Sequence, residues 1–353
     1  MFDCADDITA YHNQKVTLPQ EHRTAMRDRR NANRDRLKDG LKENDKPQPS
    51  AFHKQGSYAM LTMVQHEDNA YDIDDGVYFN KEDLDGTRGG EMSALDARKM
   101  VRDAVDDGSF KTAPEVRQNC VRVFYAAGYH VDMPVYRKRI EKTFWGADEE
   151  VFEIAGSDWK RSDARLVTDW FNKENTNQSP DTDNGRQLRR ITRLIKKYAQ
   201  SRASWKGQIA SGFAITKLVT ECYRADGRHE DCSLRYTMRA IKNRLDGSLV
   251  VKHPTTPNET VSKGDDDPKL RFLREKLKEA LDKLDVLDTS GCTRDEALKA
   301  WDKVFNTNFF SNRADSTKAA RSGPAILTSG LIGSLAANAD RVPVRKEGGG
   351  RFA

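Results

Sequence analysis

The spacing of apolar positions changes about halfway along the chain. Short alternating or continuous apolar runs before residue ~160 predict β-strands, whereas a recurrence every three or four residues after ~163 predicts helices. A strand-rich half followed by a helix-rich half predicts an α+β protein of two lobes. The strands are expected near 51–57, 71–80, 119–126, 129–137 and 151–155, and the later helices near 164–173, 187–198, 212–223, 233–244, 268–286 and 294–306.

Two helices are also predicted inside the first half, at 19–45 and 92–106. The first has a thin apolar stripe, so it should pack along one side of the body. We therefore expect three parts. These are a strand-rich core with its long N-terminal helix over 1–160, a helical lobe over 161–340, and a flexible Gly-rich tail over 341–353.

Charge narrows the class of protein only a little. The 353 residues include 60 basic and 55 acidic side chains, and the net charge of +5 is compatible with a nucleotide partner, a nucleic-acid partner or neither. No apolar run approaches the ~20 residues of a membrane-spanning helix, and the first residues do not resemble a secretory signal. We therefore expect a cytoplasmic protein without a membrane partner.

The five cysteines form no CxxC pair, which favours free thiols in a reducing compartment. Cys222, His229 and Cys232 lie close in sequence and could ligate zinc. A clear fourth ligand and one of the usual zinc spacings are missing, so a solvated loop is the favoured interpretation.

The candidate chemistry lies in the second predicted strand. Asp72 and Asp74 are two residues apart, so both carboxylates face the same side. Such a pair repels unless a cation lies between the two groups, and Mg²⁺ prefers hard oxygen ligands and also binds substrate phosphates. An isolated pair of this kind is more often a solvated strand face, so it indicates a metal site only together with other features.

Two such features are present. Asp132 lies between Val131 and Met133 in an apolar β pattern, where an acid is costly unless it is compensated. A third carboxylate would complete a site for two metal ions. Gly56 and Ser57 end the preceding strand, where glycine lets the backbone approach a phosphate and serine offers a hydroxyl and an amide donor. This order of residues predicts phosphoryl transfer from a nucleotide.

These residues resemble the nucleotidyltransferase superfamily of the DNA polymerase β type. Longer strings over 55–58, 71–78, 130–136 and 162–172 are similar to the cGAS/DncV-like nucleotidyltransferases (CD-NTases) of bacteria, nearest to the cyclic GMP-AMP synthase branch. The likeness runs from about residue 50 to 200. It implies a polymerase-β-like core of mixed sheet and helices, a C-terminal helical lobe, and an active site in the cleft between them.

The resemblance also implies roles for single residues. Asp72, Asp74 and Asp132 would hold two Mg²⁺ ions, with Mn²⁺ as an alternative, and Asp132 would help to activate the attacking ribose hydroxyl. A lysine suits contact with phosphate as a point charge, although Lys196 has a competing interpretation as an exposed lysine among the basic residues of its helix. The implied nucleotide-binding residues are Gln55, Gly56, Ser57, Arg122, Ser162, Lys196 and Ser211.

The implied activity joins ATP, GTP or other nucleoside triphosphates into a cyclic oligonucleotide with release of pyrophosphate. The product, 3′,3′-cGAMP or a related cyclic di- or trinucleotide, would be a second messenger for a downstream effector in bacterial anti-phage (CBASS) defence. The Gly-rich tail would suit conjugation by a ubiquitin-ligase-like partner. No activation by DNA is expected, because no spaced zinc ligands indicate a DNA-binding insert.

Two alternatives stay open from the sequence. The enzyme could make linear oligoadenylate or transfer a nucleotide to RNA or a small molecule. The chain could also be a non-catalytic module that senses a nucleotide or RNA, although a sensor does not need three carboxylates. The bases joined, the linkage, the ring size and the activating signal are not predicted.

Overall fold

A computed structural model describes residues 1–66, 71–86, 89–126, 128–256 and 258–313. The Gly-rich tail 341–353 and the predicted helical lobe after residue 313 lie outside these described residues. Conjugation of the tail therefore stays a prediction. Within the described ranges, no helix is both long enough and apolar enough to cross a membrane.

The first lobe is built on a mixed β-sheet. Its strands are β1 (Ala51–Gln55), β2 (Asp72–Asn80), β3 (Glu115–Val116), β4 (Cys120–Phe124), β5 (His130–Lys142), β6 (Asp148–Ala155) and β7 (Trp159–Arg161). The strands follow the order β1-β2-β5-β4-β3, while β6 pairs with the far half of β5 and β7 pairs with β6. Only the central pair, β2 and β5, is parallel within the described sheet.

Helices α2 (Gln20–Glu43) and α4 (Ala94–Val105) pack against one face of this sheet. Leu37 and Leu41 of α2 lie one helical turn apart and join Val101 of α4 in the buried cluster beneath the strands. The thin apolar stripe of α2 is therefore its contact edge, and the predicted packing of this helix along one side of the body is confirmed.

Alternate side chains of β2 point to opposite faces of the sheet. Ile73 and Val77 face α2 and α4, and between them Asp75 is buried against Arg34 of α2. The Arg34 Nε and Nη2 atoms donate to the two Asp75 oxygens at 2.6 and 2.5 Å. The neighbouring Asp74 points to the opposite face, which is the face that carries the candidate site.

The second lobe is helical and has its own core. Leu194 and Ile195 lie in this core together with Trp301 near the end of the described chain. This arrangement confirms the predicted α+β class with a helical C-terminal lobe. The helices are α5 (Ala164–Gln178), α6 (Gln187–Ala199), α7 (Gly212–Cys222), α8 (Glu230–Gly247), α9 (Pro268–Leu284) and α10 (Arg294–Phe305).

The start of the chain packs with the helical lobe, although the sequence placed all of 1–160 with the strand-rich core. Helix α1 (Ala5–Tyr11) contributes Ile8 and Tyr11 to the helical core. The Tyr11 ring lies 4.7 Å from the ring of Phe305 and 4.9 Å from that of Phe310. The partners are far apart in sequence, so no local period could predict the contact.

Several predicted boundaries need correction. The first strand ends at Gln55, and Gly56 and Ser57 begin a short helix, α3 (Gly56–Ala59). Strand β5 continues to Lys142 because its second half pairs with β6. Strands β3 and β7 are too short to show a period, and α5 and α8 extend beyond their predicted ends through residues that carry little apolar signal.

Candidate active site

Four polar residues lie in one row of aligned positions across the sheet. Asp74 of β2 is aligned with Gln55 of β1 on one side and with Asp132 of β5 on the other. Asp132 is aligned in turn with Arg122 of β4. Aligned residues of neighbouring strands present their side chains to the same face. The strand register alone thus brings together four residues that the sequence singled out separately.

Asp74 is the carboxylate of this row whose negative charge is least neutralised by its neighbours. Burial raises its pKa to about 6, and repulsion from Asp132 and Asp72 adds to the effect. Asp132 is only 8% exposed, whereas Asp72 is exposed at the start of its strand. Three oxygen-donating groups that repel one another in this way fit a divalent cation such as Mg²⁺.

Arg122 neutralises the third carboxylate. Its Nε and Nη2 atoms donate to the two oxygens of Asp132, each at 2.7 Å. This bidentate bond raises the pKa of Arg122. The guanidinium that was predicted to contact nucleotide is therefore bound to a predicted metal ligand. Asp132 can hold a metal ion only if Arg122 shares or releases one of its oxygens.

Gly56 lies directly against Asp74. Its φ is +60°, in the left-handed region that favours glycine, and a Cβ atom there would lie 2.1 Å from Asp74 Oδ2. The next residue, Ser57, begins the turn of α3 on the same side of the sheet. The sequence predicts that glycine is needed here so that the backbone can approach a phosphate. In the structure, the group that approaches Gly56 closely is the Asp74 carboxylate.

Gln55 is buried behind this turn. Its Nε2 atom donates to the Tyr78 hydroxyl at 2.8 Å, and its Oε1 atom accepts from the Tyr136 hydroxyl at 3.1 Å. The two tyrosine rings are stacked with centroids 4.5 Å apart. A Cβ atom at Gly76 would lie 2.2 Å from Gln55 Nε2, so this glycine makes room for the amide. The Gln55 side chain is therefore fixed by protein partners.

Lys196 reaches the site from α6 in the helical lobe. Its Nζ atom donates to the carbonyl oxygen of Thr62 at 2.8 Å, and only 7% of the residue is exposed. Burial, and to a smaller extent repulsion from Arg193, lower the pKa of Lys196 to about 8 against an opposing attraction to Asp74. The interpretation as an ordinary exposed lysine is therefore wrong, whereas contact with a nucleotide stays a prediction.

A cavity of about 420 Å³ opens between the two lobes. Ser211 is not among the residues that line it. This serine caps α7, where its Oγ atom accepts from the backbone N–H of Ala214 at 3.2 Å. Arg122 and Asp132 lie beside the cavity in the same row as Asp74. The predicted site residues that do line the cavity are Gln55, Gly56, Ser57, Asp72, Asp74, Ser162 and Lys196.

The structure adds residues that the sequence did not reveal. His130 Nδ1 lies 3.1 Å from Asp72 Oδ1, as expected for aligned residues of β5 and β2. His253 and Phe213 form the far wall, with ring centroids 5.5 Å apart. His253 Nδ1 accepts from the backbone N–H of Thr256 at 3.0 Å, and burial lowers its pKa. The register could have predicted His130, but no sequence signal places the loop that carries His253.

The suggested zinc ligands do not come together as proposed. His229 and Cys232 lie near Asp231, with one possible ligand atom of each within 4.8 Å of the others, and Cys222 is not part of the group. One Asp231 oxygen accepts from the Cys4 backbone N–H at 2.8 Å. The group therefore lies where α8 meets the N-terminal segment, which is a structural junction.

Two comparisons with the sequences of known proteins give a match. Residues 50–136 match the family model of the DncV-like cyclic GMP-AMP synthase nucleotidyltransferase domain. A cyclic GMP-AMP synthase of Escherichia albertii is 26% identical over 223 residues, which are 60% of this chain and 45% of that protein. The chain therefore spans less than half the length of this relative.

Solved structures show the same fold. DncV of Escherichia coli with 3′-deoxy GTP has a TM-score of 0.68 at 16% identity, covering 88% of this chain and 98% of that one. The CD-NTase CdnG of Bradyrhizobium diazoefficiens with GTP has a TM-score of 0.66 at 14% identity, with coverages of 90% and 98%. DncV of Vibrio cholerae with the linear intermediate pppA(3′,5′)pG has a TM-score of 0.64 at 17% identity, with coverages of 86% and 96%.

The polymerase-β-like core with a helical C-terminal lobe is thereby confirmed. The segment that matches the family model contains the Gly-Ser turn and all three aspartates of the site. Residues 50–136 match a DncV-like nucleotidyltransferase domain, and together the sequence and fold comparisons support assignment of the chain to the CD-NTases.

Proposed function

We propose that this protein is a cyclic oligonucleotide synthase that joins nucleoside triphosphates and releases pyrophosphate. The observation that carries the proposal is the alignment of Asp74 with Asp132 beside Asp72, directly against Gly56. The cavity next to these residues has polar groups on the sheet side and the Phe213 and His253 rings on the helical side. Such a cavity suits a ligand with a phosphate end and a planar base end.

Asp72, Asp74 and Asp132 would hold the metal, with Mn²⁺ able to replace Mg²⁺. The bound metal would neutralise the triphosphate and lower the pKa of the attacking hydroxyl. Asp74 would bind the metal as a carboxylate, and a pKa raised only to about 6 leaves it mostly deprotonated at pH 7. Release of Asp132 from Arg122 would free the carboxylate that orients the attacking hydroxyl and leave the guanidinium free to contact phosphate.

The other residues of the cavity would bind and orient the nucleotide. Ser57 offers a hydroxyl beside Asp74, and Lys196 offers a buried ammonium that favours phosphate over water as its partner. Phe213 and His253 would stack on a base. We propose ATP and GTP as substrates, because structures of similar fold contain GTP or ATP. A linear intermediate bound to one of them supports synthesis in two successive transfers.

The test is product analysis from the four nucleoside triphosphates with Mg²⁺. We expect pyrophosphate and a product that resists phosphatase, identified by mass spectrometry with nuclease typing of its linkages. Asp72→Asn together with Asp74→Asn should lower turnover at least about 100-fold, because both oxygen ligands lose their charge. Asp148→Asn is the matched control, since this exposed carboxylate pairs with Lys142 at the far end of the β5–β6 hairpin.

Each other outcome identifies a different function. A main product that keeps a 5′-triphosphate would replace cyclisation by synthesis of a linear oligonucleotide or transfer to another acceptor. Nucleotide binding without pyrophosphate release would indicate a sensing module. A cyclic product would in turn support the proposed role as a second messenger for an effector in anti-phage defence.

A further inference from the structure

Four of the five basic residues of α6 bind the backbone of one neighbouring segment. Their nitrogen atoms donate to four backbone carbonyls within the segment 60–65, which follows α3. We call these four residues the α6 clamp. The bonds are Arg189 Nε to Met60 O at 3.0 Å, Arg193 Nε to Leu61 O at 2.8 Å, Lys196 Nζ to Thr62 O at 2.8 Å, and Lys197 Nζ to Gln65 O at 2.9 Å.

The clamped segment is the continuation of the Gly-Ser turn. The Met60 N–H donates to the Gly56 carbonyl at 3.1 Å, and the Thr62 N–H donates to the Ser57 carbonyl at 2.8 Å. A displacement of residues 60–62 would therefore be transmitted to Gly56 and Ser57 through these two hydrogen bonds. Through Gly56 it also acts on Asp74, because these two residues are in direct contact.

Leu61 shows that this segment is held in an unfavourable conformation. Its φ is +56°, in a region that disfavours a residue with a Cβ atom. Half of Leu61 is exposed, so burial of its side chain does not explain the conformation. Two hydrogen bonds fix the peptide between Leu61 and Thr62. Arg193 donates a charge-assisted hydrogen bond to the carbonyl of this peptide, and the N–H of the same peptide donates to the Ser57 carbonyl.

The clamp is costly to build. Arg193 is only 7% exposed, and burial together with repulsion from Arg189 lowers its pKa to about 10. In the part of the chain that the structure describes, Arg189 and Arg193 donate to carbonyl or amide oxygens, and Arg193 also contacts the His12 ring nitrogen at 3.5 Å. Neither arginine forms an ion pair with a carboxylate there. Apolar residues could hold the two lobes together at a lower desolvation cost. The buried arginines therefore indicate that the orientation of the bound carbonyls matters more than the strength of the contact.

We propose that Arg189 and Arg193 are positioning residues for nucleotidyl transfer. They hold the carbonyls of Met60 and Leu61 so that Gly56 and Ser57 keep their alignment with Asp74 when the donor triphosphate is bound. This proposal rests on the function proposed above. It assigns to the helical lobe the task of setting the geometry of the Gly-Ser turn.

The experiment compares Arg193→Gln and Arg189→Gln with Arg202→Gln. Arg202 is a matched control because its guanidinium also donates to two carbonyls, those of Lys303 at 2.6 Å and Val304 at 3.0 Å, but within the helical lobe. Displacement of reacting groups by about 1 Å can cost about 100-fold in rate. We expect kcat to fall about 10- to 100-fold in Arg193→Gln, less in Arg189→Gln, and less than about twofold in Arg202→Gln.

Two further readouts separate positioning from a general loss of stability. Arg193→Lys keeps a charged donor and should recover part of the lost kcat. Hydrogen exchange followed by mass spectrometry should show faster exchange over residues 57–65 in Arg193→Gln and no change there in Arg202→Gln. A merely structural role would lower the thermal midpoint of all the variants without this local effect.

The proposal is overturned if Arg193→Gln keeps the wild-type kcat and the wild-type exchange over 57–65. It is also overturned if Arg202→Gln loses as much turnover as Arg193→Gln. If the wild-type protein makes no nucleotide product, the proposed function fails instead. The exchange measurement alone then tests whether Arg193 holds residues 57–65 in place.

Discussion

Replacement of Gly56 by alanine tests whether the contact between the Gly-Ser turn and Asp74 is needed. The left-handed backbone at this position, with φ of +60°, costs alanine about 1–2 kcal/mol. The new Cβ atom would also lie 2.1 Å from Asp74 Oδ2, well below the 3.0 Å limit that real Cβ contacts respect. The turn or the carboxylate must therefore move by about 1 Å, which can cost about 100-fold in rate.

Gly207→Ala separates the two effects. Gly207 has a similar φ of +80°, but nothing lies within 4 Å of a Cβ atom there. We expect Gly207→Ala to lose about 1–2 kcal/mol in urea unfolding and Gly56→Ala to lose at least as much, because both have the same backbone cost. Only Gly56→Ala should also lose about 100-fold in turnover with nucleoside triphosphates and Mg²⁺. If the folded Gly56→Ala protein turned over as fast as Gly207→Ala, the contact with Asp74 would have no part in the reaction.

Two further predictions concern carboxylates of β2. Because the pKa of Asp74 rises from 3.8 to about 6 on folding, the folded state binds the extra proton in this window, and stability falls as the pH rises through it. In EDTA, Asp74→Asn should therefore be more stable than wild type at pH 7 by about 1–3 kcal/mol in urea unfolding, and an equal gain at pH 4 would contradict this. Arg34→Met leaves the buried Asp75 carboxylate unpaired and should cost about 3–5 kcal/mol in the same assay. Adding Asp75→Asn should recover much of this loss, and no recovery would show that the pair is not the cause.

The part of the site that could be predicted is the part that local patterns control. Alternation within one strand places Asp72 and Asp74 on a common face, and the apolar neighbours of Asp132 place it inside a strand. The turn at Gly56 follows from glycine chemistry. All these inferences need only a few adjacent residues, so they hold although the exact strand ends differ.

Contacts between distant segments could not be predicted in this way. The pair of Arg122 with Asp132 depends on the antiparallel register of β4 and β5, and a slip by one residue would turn Arg122 to the other face. The wall formed by Phe213 and His253 joins a helix to a loop that has no period at all. Helix α1 packs in the helical core against residues about 300 positions later in the chain, as with Tyr11 and Phe310, and no local pattern connects the two segments.

The α6 clamp shows a more general reason for the limit. Its members at positions 189, 193, 196 and 197 recur at helical spacing, so the sequence does contain a basic stripe on one side of α6. The partner of such a stripe is normally sought among acidic side chains, whose pattern is also visible in a sequence. Here the partners are backbone carbonyls, and every residue carries one. A sequence cannot show which carbonyls are turned toward a cation, because that depends on φ values such as that of Leu61. The pattern therefore predicts a shared face for the four cations but not the buried turn that this face holds.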